Sequence, residues 1–157
     1  MKSSLSTTGE RLGRGTVAVR LSPDTVMVGW RYLSSDSVRT VFNVYRDGLL
    51  VTPKPVSVST QFYDYNPSRG KSVYEVRPVV DGREEPSSGG KWTLPANAPC
   101  GYLDIPLQQP EPQTMPGGEV CTYTANDASV GDLDGDGDFE IVLKWEPSNA
   151  KDNSHSG

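Results

Sequence analysis

The sequence predicts an all-β protein, in which a small antiparallel β-sandwich is followed by a second β region that opens on an acidic hairpin. Three observations carry this. Short strand-like runs recur between residues 14 and 94, each bounded by Gly, Pro, Asp or Ser. The 157 residues include 16 Gly and 13 Pro, and only 34% are hydrophobic, which suits a turn-rich β fold better than packed helices. Further on, Asp132-Leu133-Asp134-Gly135-Asp136-Gly137-Asp138-Phe139-Glu140 sets carboxylates at alternate positions directly before the apolar run Ile141-Val142-Leu143.

Residues 16–21 form the first expected strand. The Ser22-Pro23-Asp24 turn leads to a second over 25–32, in which Val26, Val28 and Trp30 share a face. A third, 40–46, ends in Asp47-Gly48, a strong hairpin signal before Leu49-Leu50-Val51. A short fourth strand holds Phe62. The fifth, 72–80, ends in Asp81-Gly82, and Pro78 within it predicts an edge position or a bulge. Residues 91–94 close the set. Trp30 is read as core, and Tyr32, Tyr45 and Trp92 as packing rings rather than ligand platforms. The sandwich is placed at 10–95. A linker at 96–118 follows, where Pro106, Pro110, Pro112 and Pro116 argue against regular structure. Residues 119–157 then read as strand, a turn at Asn126-Asp127, strand, acidic hairpin and strand.

The acidic hairpin predicts a bound hard cation. Five like charges this close repel, and Ca²⁺ accepts six to eight oxygen ligands in loose geometry. The spacing begins like an EF-hand, but the twelfth position from Asp132 is Leu143, which cannot ligate, and no helical pattern flanks the loop. It is therefore read as a strand-turn-strand calcium loop of the kind found at β-propeller blade hairpins. Asp132, Asp134, Asp136 and Glu140 are the expected side-chain ligands, and Asp138 the expected carbonyl ligand.

Charge narrows the function. The chain has 20 acids and 15 bases, a net −5. Setting aside the five acids of the loop leaves 15 against 15, so no basic patch points to nucleic acid. No apolar run reaches membrane-spanning length. Met1-Lys2-Ser3-Ser4-Leu5-Ser6 lacks the apolar core of a signal peptide. An extracellular protein whose leader has been removed is expected, because unbound calcium is scarce in cytosol. Cys100 and Cys121 are either a disulfide, worth about 3 kcal/mol across its loop, or two separate thiols. His155, the sole histidine, lies in a polar stretch with no acid beside it and is read as an exposed loop residue. Lys144 and Lys151 are read as solvated.

The strands around Trp30, residues 42–48 and residues 74–82 resemble those of fibronectin type III domains. Taken together, several stretches resemble the start of a secreted bacterial rhamnogalacturonan lyase of polysaccharide lyase family 11. They are Glu10-Arg11-Leu12-Gly13-Arg14-Gly15-Thr16-Val17-Ala18-Val19-Arg20, Val28-Gly29-Trp30-Arg31, Phe42-Asn43-Val44-Tyr45-Arg46-Asp47-Gly48 and Tyr102-Leu103-Asp104-Ile105-Pro106-Leu107. Tyr123-Thr124-Ala125-Asn126-Asp127-Ala128-Ser129-Val130-Gly131, running into the acidic loop, and Lys144-Trp145-Glu146-Pro147-Ser148-Asn149 are the most specific.

The resemblance implies a fibronectin type III-like β-sandwich followed by the start of a calcium-binding β-propeller catalytic domain. It implies cleavage of the rhamnose–galacturonate bond of rhamnogalacturonan I, an acidic plant cell-wall polysaccharide, by β-elimination. It places Asn126 and Glu146 in the substrate cleft as sugar-binding residues, Glu146 standing where the family pattern has Asp. It assigns no catalytic base here, so the chain alone is expected to be an inactive, monomeric N-terminal part. The competing readings are a non-catalytic carbohydrate-binding or accessory module and a calcium-stabilised adhesion propeller.

Overall fold

This computed structural model describes residues 12–85 and 90–151. All regular structure among the described residues is β-strand, and no helix there is long and apolar enough to cross a membrane. The chain divides into two compact units: one runs to Asp104 and includes Asp134–Asp138, the other holds Ile105–Leu133 and the residues from Phe139.

The first unit is two antiparallel sheets over one core. β1 (Val17–Ser22), β2 (Thr25–Gly29) and β5 (Gln61–Tyr65) form the first sheet, in the order β1-β2-β5. The second runs β4 (Leu49–Leu50), β3 (Val41–Arg46), β6 (Ser72–Val80); β7 (Arg83–Glu84) and β8 (Gly90–Leu94) also pair with β6. Two-residue alternation turns one face of each strand inward. Ala18, Val26, Val28 and Trp30 meet Phe42, Val44, Tyr74, Val76 and Leu94 in a single buried cluster. Trp30 is core as expected, 5.4 Å from the Phe42 ring.

The two Asp-Gly dipeptides make the turns their chemistry favours. Asp47 and Gly48 have φ of 51° and 81°, and Asp81 and Gly82 50° and 77°, so each pair links its strands through a type I′ turn. Pro78 departs from expectation. It sits in the central strand β6, opposite Phe42 and without a register shift. The Phe42 amide and carbonyl bond Val56 on the other side, so this position asks no donor of Pro78 toward β3. On its far side the Pro78 carbonyl accepts from Glu85, and the two-residue β7 lies at this missing return donor.

Arg14 and Arg46 each meet a largely buried carboxylate. Arg14 makes two bonds to Asp36, at 2.5 and 3.0 Å, and stacks over Phe42. Burial opposes the Asp36 charge, but Arg14 and the Leu33 amide outweigh it and hold the carboxyl below its usual range. Asp64 accepts from Arg46 at 2.5 Å and from the Tyr74 hydroxyl at 2.8 Å. Burial first, then this bond, pushes the Tyr74 phenol well above its ordinary value.

The second unit holds two hairpins. β9 (Gln113–Thr114), inside the Pro-rich stretch where no regular structure was expected, pairs with β10 (Val120–Cys121), which falls where a strand was expected. β11 (Tyr123–Gly131) pairs with β12 (Glu140–Pro147). The Asn126-Asp127 turn expected from the sequence is instead part of β11. Ala125 faces Trp145 and Ala128 faces Leu143, so Asn126 and Asp127 form a bulge opposite Lys144. Cys100 is exposed, Cys121 buried, and both are free thiols. The Cys121 thiol donates to Asn149 Oδ1 at 3.4 Å. Glu10, Arg11 and His155 lie outside the described residues.

Candidate functional site

The acidic loop spans the gap between Gly131 and Glu140, the last pair of the β11–β12 ladder. Gly135 and Gly137 take φ of 80° and 96°, a region costly for any side chain, and so let the loop reverse. Each aspartate in the middle folds the backbone over itself: the Asp136 amide donates to Asp134 Oδ1 at 3.1 Å, and the Asp138 amide to Asp136 Oδ1 at 2.8 Å.

These turns collect carboxylates. One oxygen each of Asp132, Asp134 and Asp136 lies within 4.8 Å of the others. At that spacing each charged pair repels by about 1 kcal/mol even in bulk water. The donor set is all oxygen, which fits a hard divalent cation such as Ca²⁺. The other two acids expected as ligands, Asp138 and Glu140, are not in this group of three. The Glu140 carboxylate accepts from the Leu133 amide at 2.7 Å, closing the loop neck. Asp138 lies beside Gly13, where an added Cβ would meet Asp138 Oδ1 at 3.4 Å and the Gly137 carbonyl at 3.1 Å. That carbonyl accepts from the Gly13 amide at 2.5 Å and from Arg31 Nη1 at 3.5 Å, so the loop tip is held within the first unit.

A polar cluster lies along the hairpin itself. Strand alternation puts Lys144 and Glu146 on one face of β12, and the bulge delivers Asn126 to them. Asn126 Nδ2 donates to Glu146 Oε2 at 3.1 Å, and Lys144 Nζ lies 2.6 Å from the same oxygen. The Lys144 ammonium, helped by the Asn126 amide, holds the Glu146 carboxyl below its usual range. Glu146 raises Lys144 in return, with Asp127 adding to it. The cluster is open to water, so salt weakens it. A carboxylate, an amide and an ammonium this close can together hydrogen-bond hydroxyl groups and face an anion. The opposite face, Ile141, Leu143 and Trp145, lines a cavity of about 330 Å³ with residues 105–108.

The structure thus brings Asn126 and Glu146 into direct contact, and gathers Asp132, Asp134 and Asp136. Lys144 is solvated, as read from the sequence, but its contact with Glu146 was not foreseen. Its two-residue spacing from Glu146 was the available signal.

Comparison with known proteins adds the following. Residues 7–92 match the rhamnogalacturonan I lyases beta-sheet domain, and residues 102–157 match the rhamnogalacturonan lyase family 11 C-terminal domain. The rhamnogalacturonan endolyase YesW of Bacillus subtilis (strain 168) is 47% identical over 150 residues. The rhamnogalacturonan exolyase YesX of the same organism is 47% identical over 148 residues. In both cases the match covers 94% of this chain and 23% of the relative, so the chain spans about a quarter of their length. The crystal structure of the exotype rhamnogalacturonan lyase YesX superimposes with a TM-score of 0.75 at 45% identity, over 94% of this chain and 24% of that one.

Proposed function

This chain belongs to the rhamnogalacturonan lyases of family 11, and we propose that it supplies the N-terminal part of an enzyme that cleaves the rhamnose–galacturonate bond of rhamnogalacturonan I by β-elimination. The observation that carries this is the length of the match: 94% of the chain is aligned to each lyase at 47% identity.

The reaction removes the C5 proton of a galacturonate and expels the oxygen on C4. Its difficulty is electrostatic, because the neighbouring carboxylate disfavours carbanion character at C5 until a cation neutralises it. In this reading Asn126, Glu146 and Lys144 bind and orient sugar on the cleft side of the β11–β12 hairpin. Glu146 and the Asn126 amide engage hydroxyls, and Lys144 faces an acidic group. None of the three is assigned as the base, which belongs to the remainder of the enzyme. The Asp132, Asp134 and Asp136 carboxylates would hold Ca²⁺, with Asp138 and Glu140 completing the set. Bound there, the ion would offset the mutual repulsion of the loop carboxylates.

The order β1-β2-β5 facing β4-β3-β6-β8 supports a fibronectin type III-like sandwich. A propeller opening is supported by the β11–β12 hairpin, whose cross-strand pair Val130 and Ile141 is about half exposed or more, as expected of a face that further strands would cover. Calcium held by this loop would favour an extracellular site, where the plant polymer lies, and the enzyme is taken to act there as a monomer.

The test is a chimera. This chain replaces the corresponding 23% of the Bacillus subtilis endolyase, and unsaturated product from rhamnogalacturonan I is followed by its ultraviolet absorbance. The chimera is expected to be active and the chain alone silent. Activity from the isolated chain, or a soluble, folded but inactive chimera, would overturn the proposal.

A further inference from the structure

Away from the hairpin, the outer face of β5 carries a row of side chains that the lyase reading does not use. β5 is an edge strand, paired only with β2 among the described strands. Alternation turns Phe62 and Asp64 inward and leaves Gln61, Tyr63 and Tyr65 on the outer face. Tyr63 is 38% exposed and Tyr65 68%. Gln61 Nε2 donates to the Tyr63 hydroxyl at 3.4 Å, which ties the row together. Successive side chains on one strand face stand about 7 Å apart, the scale of neighbouring sugar rings.

Residues 53–59 run past this strand and form the second wall of a cavity of about 500 Å³. Its size and its apolar lining, with a few polar groups, are those of a small-ligand site. Val56 bonds Phe42 through both backbone groups, so the wall is anchored to the second sheet. Val58, 95% exposed, adds apolar surface at the rim. The charge pattern selects the occupant. Lys54 lines the cavity, no Asp or Glu does, and Lys54 makes no ion pair among the described residues. Tyrosine rings offer apolar faces to the C–H side of a pyranose, and their hydroxyls and the Gln61 amide suit its O–H groups. An unopposed ammonium beside them suits a uronate carboxylate.

We propose that this face is a carbohydrate-binding subsite for a uronate-containing stretch of rhamnogalacturonan I, separate from the β11–β12 hairpin. The identity of the polymer rests on the lyase reading. The subsite would hold the chain being degraded against the enzyme, raising the local concentration of bonds to be cut.

The test is isothermal titration of the whole 157-residue chain with rhamnogalacturonan I oligosaccharides and with the same oligosaccharides after carboxyl reduction. Thermal melting would verify that each variant is folded. Tyr65→Ala and Tyr63→Ala are each expected to weaken binding of both ligands, the double variant by about tenfold or more. Lys54→Gln should weaken the acidic ligand alone, with an effect that fades in high salt. Absence of binding, or a folded double Tyr variant that binds as the parent does, would overturn the subsite. If the β5 variants bind normally while Asn126→Ala does not, the subsite falls and the lyase reading stands. If the β5 variants lose binding while the chimera is inactive, the lyase reading falls and the subsite stands.

Discussion

Replacing Asp64 by Asn removes one buried negative charge at nearly constant volume. The Asp64 side chain is 7% exposed, while its partner Arg46 is 25% exposed. Asp64 Oδ2 accepts both the Arg46 guanidinium and the Tyr74 hydroxyl. Removing one member of a buried ion pair costs ~3–5 kcal/mol, mostly because the other charge is left uncompensated. Arg46 keeps partial access to water, and the Asn carbonyl still accepts from Tyr74, so about 3 kcal/mol is expected. In a unit of this size that corresponds to a fall in Tm of roughly 12 °C or more. Tyr74→Phe leaves the ion pair in place and loses one bond to a charged acceptor, about 1.5 kcal/mol. Urea unfolding followed by tryptophan fluorescence suits the measurement, since Trp30 sits in the same core, and an unchanged m-value would show that the unfolded state is comparable. A loss below about 1 kcal/mol for Asp64→Asn, or a larger loss for Tyr74→Phe, would refute the reasoning.

Further outcomes follow from other sites. Calcium should raise stability by mass action, by about 2.7 kcal/mol at one hundred times its Kd, in a thermal melt of the chain; Asp134→Asn with Asp136→Asn should abolish the shift. Tyr74 has a raised folded-state pKa, so the stability its neutral phenol contributes is complete below about pH 10 and is lost as pH climbs beyond it. Tyr74→Phe should flatten that alkaline limb in urea titrations across pH, without abolishing it, because Tyr45 is raised in the same direction by Glu84. Gly90→Ala should destabilise by about 1–3 kcal/mol, because its Cβ would lie 2.5 Å from Thr16 Oγ1 and 3.0 Å from Arg14 Cβ, both on buried residues. A matched melt of Gly90→Ala against the parent chain checks it.

Much of the fold follows from short-range chemistry. The Asp-Gly turns are legible because few other residues accept positive φ at two successive positions, and both dipeptides adopt it. The strands of the first unit are legible because period-two burial needs only neighbouring residues, and β6 has the expected bounds, Ser72–Val80. Pro78 misled because a missing donor is harmless wherever the opposing carbonyl faces away, and that depends on how β3 and the Val56 bridge are laid beside it. The bulge at Asn126-Asp127 was read as a turn for the same reason. Asx residues favour turns locally, while the ladder to β12 continues on both sides of them.

The sequence by itself determined the β character, the tight turns, the inward face of each strand of the first unit and the concentration of acids in one loop, since each depends on residues within a few positions. Tertiary structure alone decided which charges are buried and with whom: Arg14 with Asp36, and Arg46 with Asp64 and Tyr74. It also decided that Asn126, Lys144 and Glu146 meet, and that Tyr63 and Tyr65 face a cavity walled by residues 53–59. Arg14–Asp36, Arg46–Asp64 and Asn126–Glu146 join residues 22, 18 and 20 positions apart, beyond the reach of strand alternation. Their free energy comes from desolvation and mutual geometry, which local composition does not encode.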